Sequence, residues 1–189
     1  MANAISLLRR RLSRSARSED GTATIPFVLF LPFYMMLVTS SVEMGMLMVR
    51  HVMLERGLDL AVRDLRLGVW NPADATEVKR RVCNNAGVIP DCMNTMLIEL
   101  RPVDTMTWQP LSSGATCVDR SAPIEVQELP MDSGGDDHMM RIRACAKFDP
   151  LFPMSGAGFG MPKDASGAYA LIASTAFVNE PDRSGGGGN

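Results

Sequence analysis

Four cysteines, Cys83, Cys92, Cys117 and Cys145, are the residues best placed to do chemistry in this 189-residue chain. Their spacing excludes several kinds of chemistry. No pair forms the CxxC step of a redox-active dithiol or of a typical zinc site. An even count confined to one side of an apolar segment fits structural disulfides in an oxidising compartment. Three pairings are open, and the favoured one is Cys83–Cys92 with Cys117–Cys145. The chain has two histidines, His51 and His138, so a multi-histidine metal cage is excluded. The cluster Asp136-Asp137-His138 lies beside Gly134 and Gly135 and reads as a solvated turn. Gly156–Gly160 lacks the strand–glycine–helix context of a phosphate cradle and reads as a loop. No nucleophile–base pair can be argued, so no catalytic residue, cofactor site, metal site or small-molecule substrate is expected.

The elements around these residues are set by a strongly uneven charge pattern. Residues 1–21 carry five arginines against two acids, residues 43–68 balance, and the stretch from Trp70 onward has a net charge of −5. With a whole-chain net of −2, binding to nucleic acid through bulk positive charge is not expected. Thr22–Val42 is an uninterrupted run of 21 uncharged residues. As a helix it would span about 31 Å, close to the roughly 30 Å hydrocarbon thickness of a bilayer. The arginines ahead of it place the amino terminus in the cytoplasm and the remainder outside, which in a Gram-negative cell is the periplasm. The apolar run is longer than a secretory signal core, and no small-x-small site follows it, so the segment reads as a retained anchor. A second reading starts at Gly21: a charged leader, a glycine and an apolar helix together read as a type IV prepilin leader, cut between Gly21 and Thr22.

Past Glu43 the apolar positions Leu54, Leu58, Ala61, Val62 and Leu65 recur at helical spacing. One helix from about Phe27 to Leu67 would therefore be roughly 60 Å long, half in lipid and half outside. Ser41 and Gly45 have the small-xxx-small spacing that lets membrane helices approach closely. Glu43, at the outer edge of the span, has two outcomes open: its carboxylate snorkels into the interface, or it meets a partner on another helix.

The outer part, residues 69–180, reads as an α+β domain of one helix layer on a small antiparallel sheet. Asn71-Pro72 supplies an N-cap and N1 proline for a second helix whose apolar face is Ala75, Val78, Val82 and Ala86. Met96–Arg101 reads as a strand. Met140–Phe148 alternates cleanly, with Arg141, Arg143, Cys145 and Lys147 on its polar face. Ala168–Val178 is nearly continuous in apolar residues and reads as a central strand. Residues 102–137 are loop-rich, with short strands expected near Cys117 and over Ile124–Glu128. Residues 181–189 end in four glycines and read as a flexible tail.

These features together resemble one known family. Gly21-Thr22-Ala23, Phe27, Leu31-Pro32, Glu43-Met44-Gly45, the helix Leu54–Leu67 and a cysteine-bearing head ending in Tyr169–Pro181 are similar to the TadE-like minor pseudopilins of tight-adherence (Flp, type IVc) pilus systems. The resemblance implies a single-pass inner-membrane subunit that helps assemble Flp pili. Its partners would be other minor pilins of the system, the pilus assembly machinery, the lipid bilayer and a prepilin peptidase that cuts after Gly21. At the fifth position after that cut, where such pilins carry glutamate, this chain has Pro26. The alternative reading is an inner-membrane-anchored periplasmic binding module not tied to pili.

Overall fold

A computed structural model of the protein describes residues 23–67, 74–107, 116–120, 131–132 and 137–180. The first helix, α1, runs from Thr24 to Arg66, 43 residues and about 65 Å. Pro32 lies inside it. A proline ring removes one backbone donor, a loss that helices in apolar surroundings accommodate near their start. Residues 24–38 are exposed throughout, whereas the second half of α1 is gripped by the rest of the chain. Its buried positions are Glu43, Leu47, Arg50, Leu54, Gly57, Leu58, Ala61 and Val62, a stripe at steps of three and four. The apolar stripe expected from Leu54 onward is present, and the buried face continues about three turns further toward the span, through Arg50 and Leu47 to Glu43.

The second helix, α2, spans Ala75–Asn85 and rests Val78 and Val82 on α1. It does not begin at the expected Asn71-Pro72 step. Asp74 is extended, and its carboxylate accepts the Thr76 N–H at 3.1 Å, which makes Asp74 the N-cap. The approach to α1 is close at Gly57, where an added Cβ would lie 2.8 Å from the Val82 carbonyl oxygen. A single turn, α3, covers Cys92–Thr95.

Three strands follow: β1 (Met96–Pro102), β2 (Met139–Phe148) and, after a short helix α4 (Gly156–Gly160), β3 (Tyr169–Val178). They form one antiparallel sheet in the order β1-β2-β3. This corrects two expectations. The central strand is β2, not the more apolar Tyr169–Val178 segment, which is an edge strand with Ile172 and Val178 exposed. Gly156–Gly160, expected as a loop, forms a short helix.

The alternation in β2 suits one solvated face, yet most of the strand is buried. Met140, Ile142, Ala144 and Ala146 join the core with Leu54, Leu58, Val78 and Val82. On the other face, buried Arg143 donates to buried Glu99 of the neighbouring strand at 2.8 Å. Charge is tolerated there because each charged group has a partner of opposite sign. Around Cys117 the described residues form no strand, while Met131 makes an isolated parallel bridge to Leu100. Ile124–Glu128 lies outside the described residues, as do Asn71-Pro72, the leader 1–21 and the tail 181–189.

Candidate functional site

Two surfaces of α1 and the junction between them carry the functional reading. The lower half of the helix is long and apolar enough to cross a membrane, and none of its most apolar stretch is buried within the chain. Phe27, Leu29, Phe30, Phe33 and Tyr34 each expose 62% or more of their surface. Exposed apolar side chains on this scale mark contact with lipid or another protein. The disulfides above the helix fit an oxidising compartment.

Glu43 stands where this exposed half meets the gripped half. Its side chain is 1% exposed. One carboxylate oxygen accepts the Leu151 N–H at 3.1 Å and the other accepts the Phe152 N–H at 2.8 Å. Of the two outcomes open from the sequence, neither is realised: the glutamate does not snorkel, and its partner is loop backbone rather than a helix. Because the backbone turns just after β2, two consecutive amides face the same way, and a carboxylate can serve both.

The residues around this anchor are mostly apolar. Leu47, Phe148 and Tyr169 form a small buried cluster, with the Phe148 and Tyr169 rings edge-to-face at 5.9 Å. The Arg50 guanidinium sits 4.6 Å over the Phe148 ring, a cation–π contact one turn from Leu47. Burial raises the Tyr169 phenol pKa, with the nearby Glu43 charge as the second cause, so the hydroxyl stays neutral. Arg50 Nε and Tyr169 Oη are buried without a hydrogen-bond partner among the described residues. Sequence reasoning missed Leu47, Arg50, Phe148 and Tyr169 as parts of the junction. The signal for Arg50 was its seven-residue step from Glu43, which puts both on one helix face.

Ser41 and Gly45 point elsewhere. Gly45 is two positions from both Glu43 and Leu47, about 200° round the helix from each, and it faces away from the head. A Cβ added there would meet nothing within 4 Å, so no closely packed helix partner for it lies among the described residues. Ser41 is exposed on the same side and donates its hydroxyl hydrogen to its own helix, at the Leu37 carbonyl. Met48 and Val52 extend this face upward and are 61% and 59% exposed.

The cysteines pair as favoured: Cys83–Cys92, with Cα atoms 5.7 Å apart, and Cys117–Cys145, 5.3 Å apart. The first pins α3 to the end of α2. The second ties the 116–120 segment to the central strand. No free thiol remains.

Of the Asp136-Asp137-His138 cluster, Asp136 lies outside the described residues. Asp137 adopts a left-handed conformation (φ 60°), and its N–H donates to the Asn179 carbonyl beside the sheet. Among the described residues no group of three or more His, Cys, Asp or Glu side chains is placed to hold a metal ion. A depression with a cavity volume of only about 10 Å³ is lined by Glu99, Arg101, Arg141 and Arg143. That volume falls below the range of about 300–1,000 Å³ usual for small-molecule sites. Gly21 and Thr22, the expected processing step, lie outside the described residues. Compared with protein-family models, curated proteins and solved structures, the chain matches none.

Proposed function

We propose that this chain is a membrane-anchored TadE-like minor pseudopilin, a non-catalytic subunit that acts in assembly of Flp (tight-adherence) pili. Its amino terminus lies in the cytoplasm and its disulfide-bonded head in the periplasm, held to the inner membrane by α1. Its partners are the other minor pilins, the assembly machinery and a prepilin peptidase acting at Gly21-Thr22.

The observation that carries this reading is the length of the uncovered apolar face of α1. From Ile25 to Val52 the side away from the head stays exposed and apolar, through Val42, Met44, Met48 and Val49. That is about 40 Å of helix, against roughly 30 Å of hydrocarbon. Lipid covers the lower part, and the remaining turns, where Ser41 and Gly45 leave room for another backbone, are suited to a neighbouring long helix. Pilin-type assemblies are built from such helices, and the head, placed on the opposite side, leaves this face clear.

A photo-crosslinking residue placed at Gly45 in cells that make the pilus tests the proposal. Adducts with another long-helix pilin-type subunit are expected there, and not from the same probe at exposed Asp59. Lipid adducts alone at Gly45, or no adduct, would overturn it.

A further inference from the structure

Between Asp149 and Lys163 the chain runs for thirteen residues, Pro150–Pro162, without a charge, and it includes Leu151, Phe152, Met154, Phe159 and Met161. In a soluble head such a segment would be packed inward. Here Leu151 is 46% exposed, Phe152 41% and Met154 81%. The segment is also fixed at one height on α1. A Cβ added at Gly156 would lie 3.0 Å from Met36 Cε and 3.2 Å from Ser40 Oγ, both within the Thr22–Val42 run.

We propose that the segment Pro150–Pro162 is a second membrane-binding element, a loop that inserts into the outer leaflet of the same bilayer that α1 crosses. This rests on the membrane-anchor reading above and adds to it a lipid contact by the head. Three observations converge on lipid as the occupant. The exposed side chains are apolar, and their segment descends α1 from Glu43, at the outer edge of the span, to Gly156 beside Met36 and Ser40 within it. The charges that flank the segment in the chain are held on the head side: Asp149 by a two-pronged contact with Arg120, Lys163 over the Tyr169 ring at 5.7 Å, and Asp164 by Lys147.

Backbone in a water-poor layer must also find internal partners. The Leu151 and Phe152 amides find theirs on Glu43, and the Ser155 amide donates to the Phe152 carbonyl. An interfacial element of this kind reaches about 5–10 Å into the headgroup–acyl boundary. Inserted beside α1, it would fix the head's rotation about the helix relative to the membrane, and so set which way the Ser41–Gly45 face points.

The test is tryptophan fluorescence of the full chain in liposomes whose acyl chains carry bromine, compared with unbrominated lipid. In a background of Trp70→Phe and Trp108→Phe, single tryptophans are introduced as Tyr34→Trp in the span, Met154→Trp in the loop, and Met106→Trp. Met106 is 91% exposed and follows β1 at the end of the sheet away from the loop. Emission from Tyr34→Trp and Met154→Trp should be blue-shifted and lost to bromine, while Met106→Trp keeps its emission. Phe152→Trp, read alongside, should lose emission as Met154→Trp does. If Tyr34→Trp is quenched while Met154→Trp and Phe152→Trp behave like Met106→Trp, the loop proposal is overturned and the anchor stands. If Tyr34→Trp itself is not quenched, the membrane reading beneath the proposal is the one that fails.

Discussion

Replacing Glu43 by alanine removes the acceptor for two backbone amides at once, and its cost can be worked from the structure. The Leu151 and Phe152 N–H groups each donate to one oxygen of a carboxylate that is 1% exposed. A hydrogen bond to a charged group contributes about 1.5–3 kcal/mol. Some of this is recovered when the loop relaxes and the freed amides find other acceptors, so a local loss of about 2–4 kcal/mol is the reasonable range. Because the loop is held to α1 at its edge, the loss should show as local opening rather than global unfolding. Hydrogen exchange read by NMR in nanodiscs measures this directly. At 1.36 kcal/mol per factor of ten, protection at Leu151 and Phe152 should fall roughly 30- to 1,000-fold. Amides in the β2–β3 pairing, such as the Arg143 and Ser174 pair, should keep theirs. Glu43→Gln, which retains one acceptor oxygen, should lie between the two. Unchanged protection at Leu151 and Phe152 in Glu43→Ala would refute the assignment of Glu43 as the loop's anchor.

Gly57→Ala should destabilise the head by about 1–3 kcal/mol despite alanine's better helix propensity, because the new Cβ meets the Val82 carbonyl oxygen at 2.8 Å; urea unfolding of the head followed by near-UV circular dichroism reads the change. From loop-closure entropy, the 28-residue Cys117–Cys145 link should contribute about 3.5 kcal/mol and the 9-residue Cys83–Cys92 link about 2.5 kcal/mol. The paired serine variants, compared by the same method, should therefore rank in that order. Asp164 has its pKa lowered well below the usual carboxylate range, first by the Lys147 hydrogen bond and then by Ser166. A lowered folded pKa means stability that is present above the unfolded value of about 3.9 and lost as pH falls through the folded one. Thermal unfolding at several pH values should show this acid loss in the natural chain and a flatter acid limb in Asp164→Asn.

The parts of the fold legible in the sequence are those where one periodicity dominates. The stripe Leu54, Leu58, Ala61, Val62 marks the face of α1 that packs on the head, and the alternation from Met140 to Phe148 marks a strand. Of the three pairings left open by the cysteine count, the favoured one is present: Cys83–Cys92 closes a short loop at the end of α2, and Cys117–Cys145 ties the loop region to β2. Strand position was not legible. An apolar run such as Tyr169–Val178 suits a central strand, yet it takes the edge. The polar-looking β2 goes to the centre because Arg143 and Glu99 satisfy each other across the strands. The junction at Glu43 was hidden for a related reason. Its partners are backbone amides 108 and 109 residues away, and backbone donors leave no mark in residue type. The N-cap falls at Asp74, which the sequence did not single out, because a capping hydrogen bond is decided by φ and ψ, and residue type alone does not settle these.

The role in pilus assembly is tested most directly by counting surface pili with electron microscopy on cells from which this chain has been deleted. Loss of Flp pili is expected, restored by the natural chain but not by Gly45→Leu, which fills the space left for a neighbouring helix while leaving the head untouched. Normal piliation in the deletion strain would contradict the assignment.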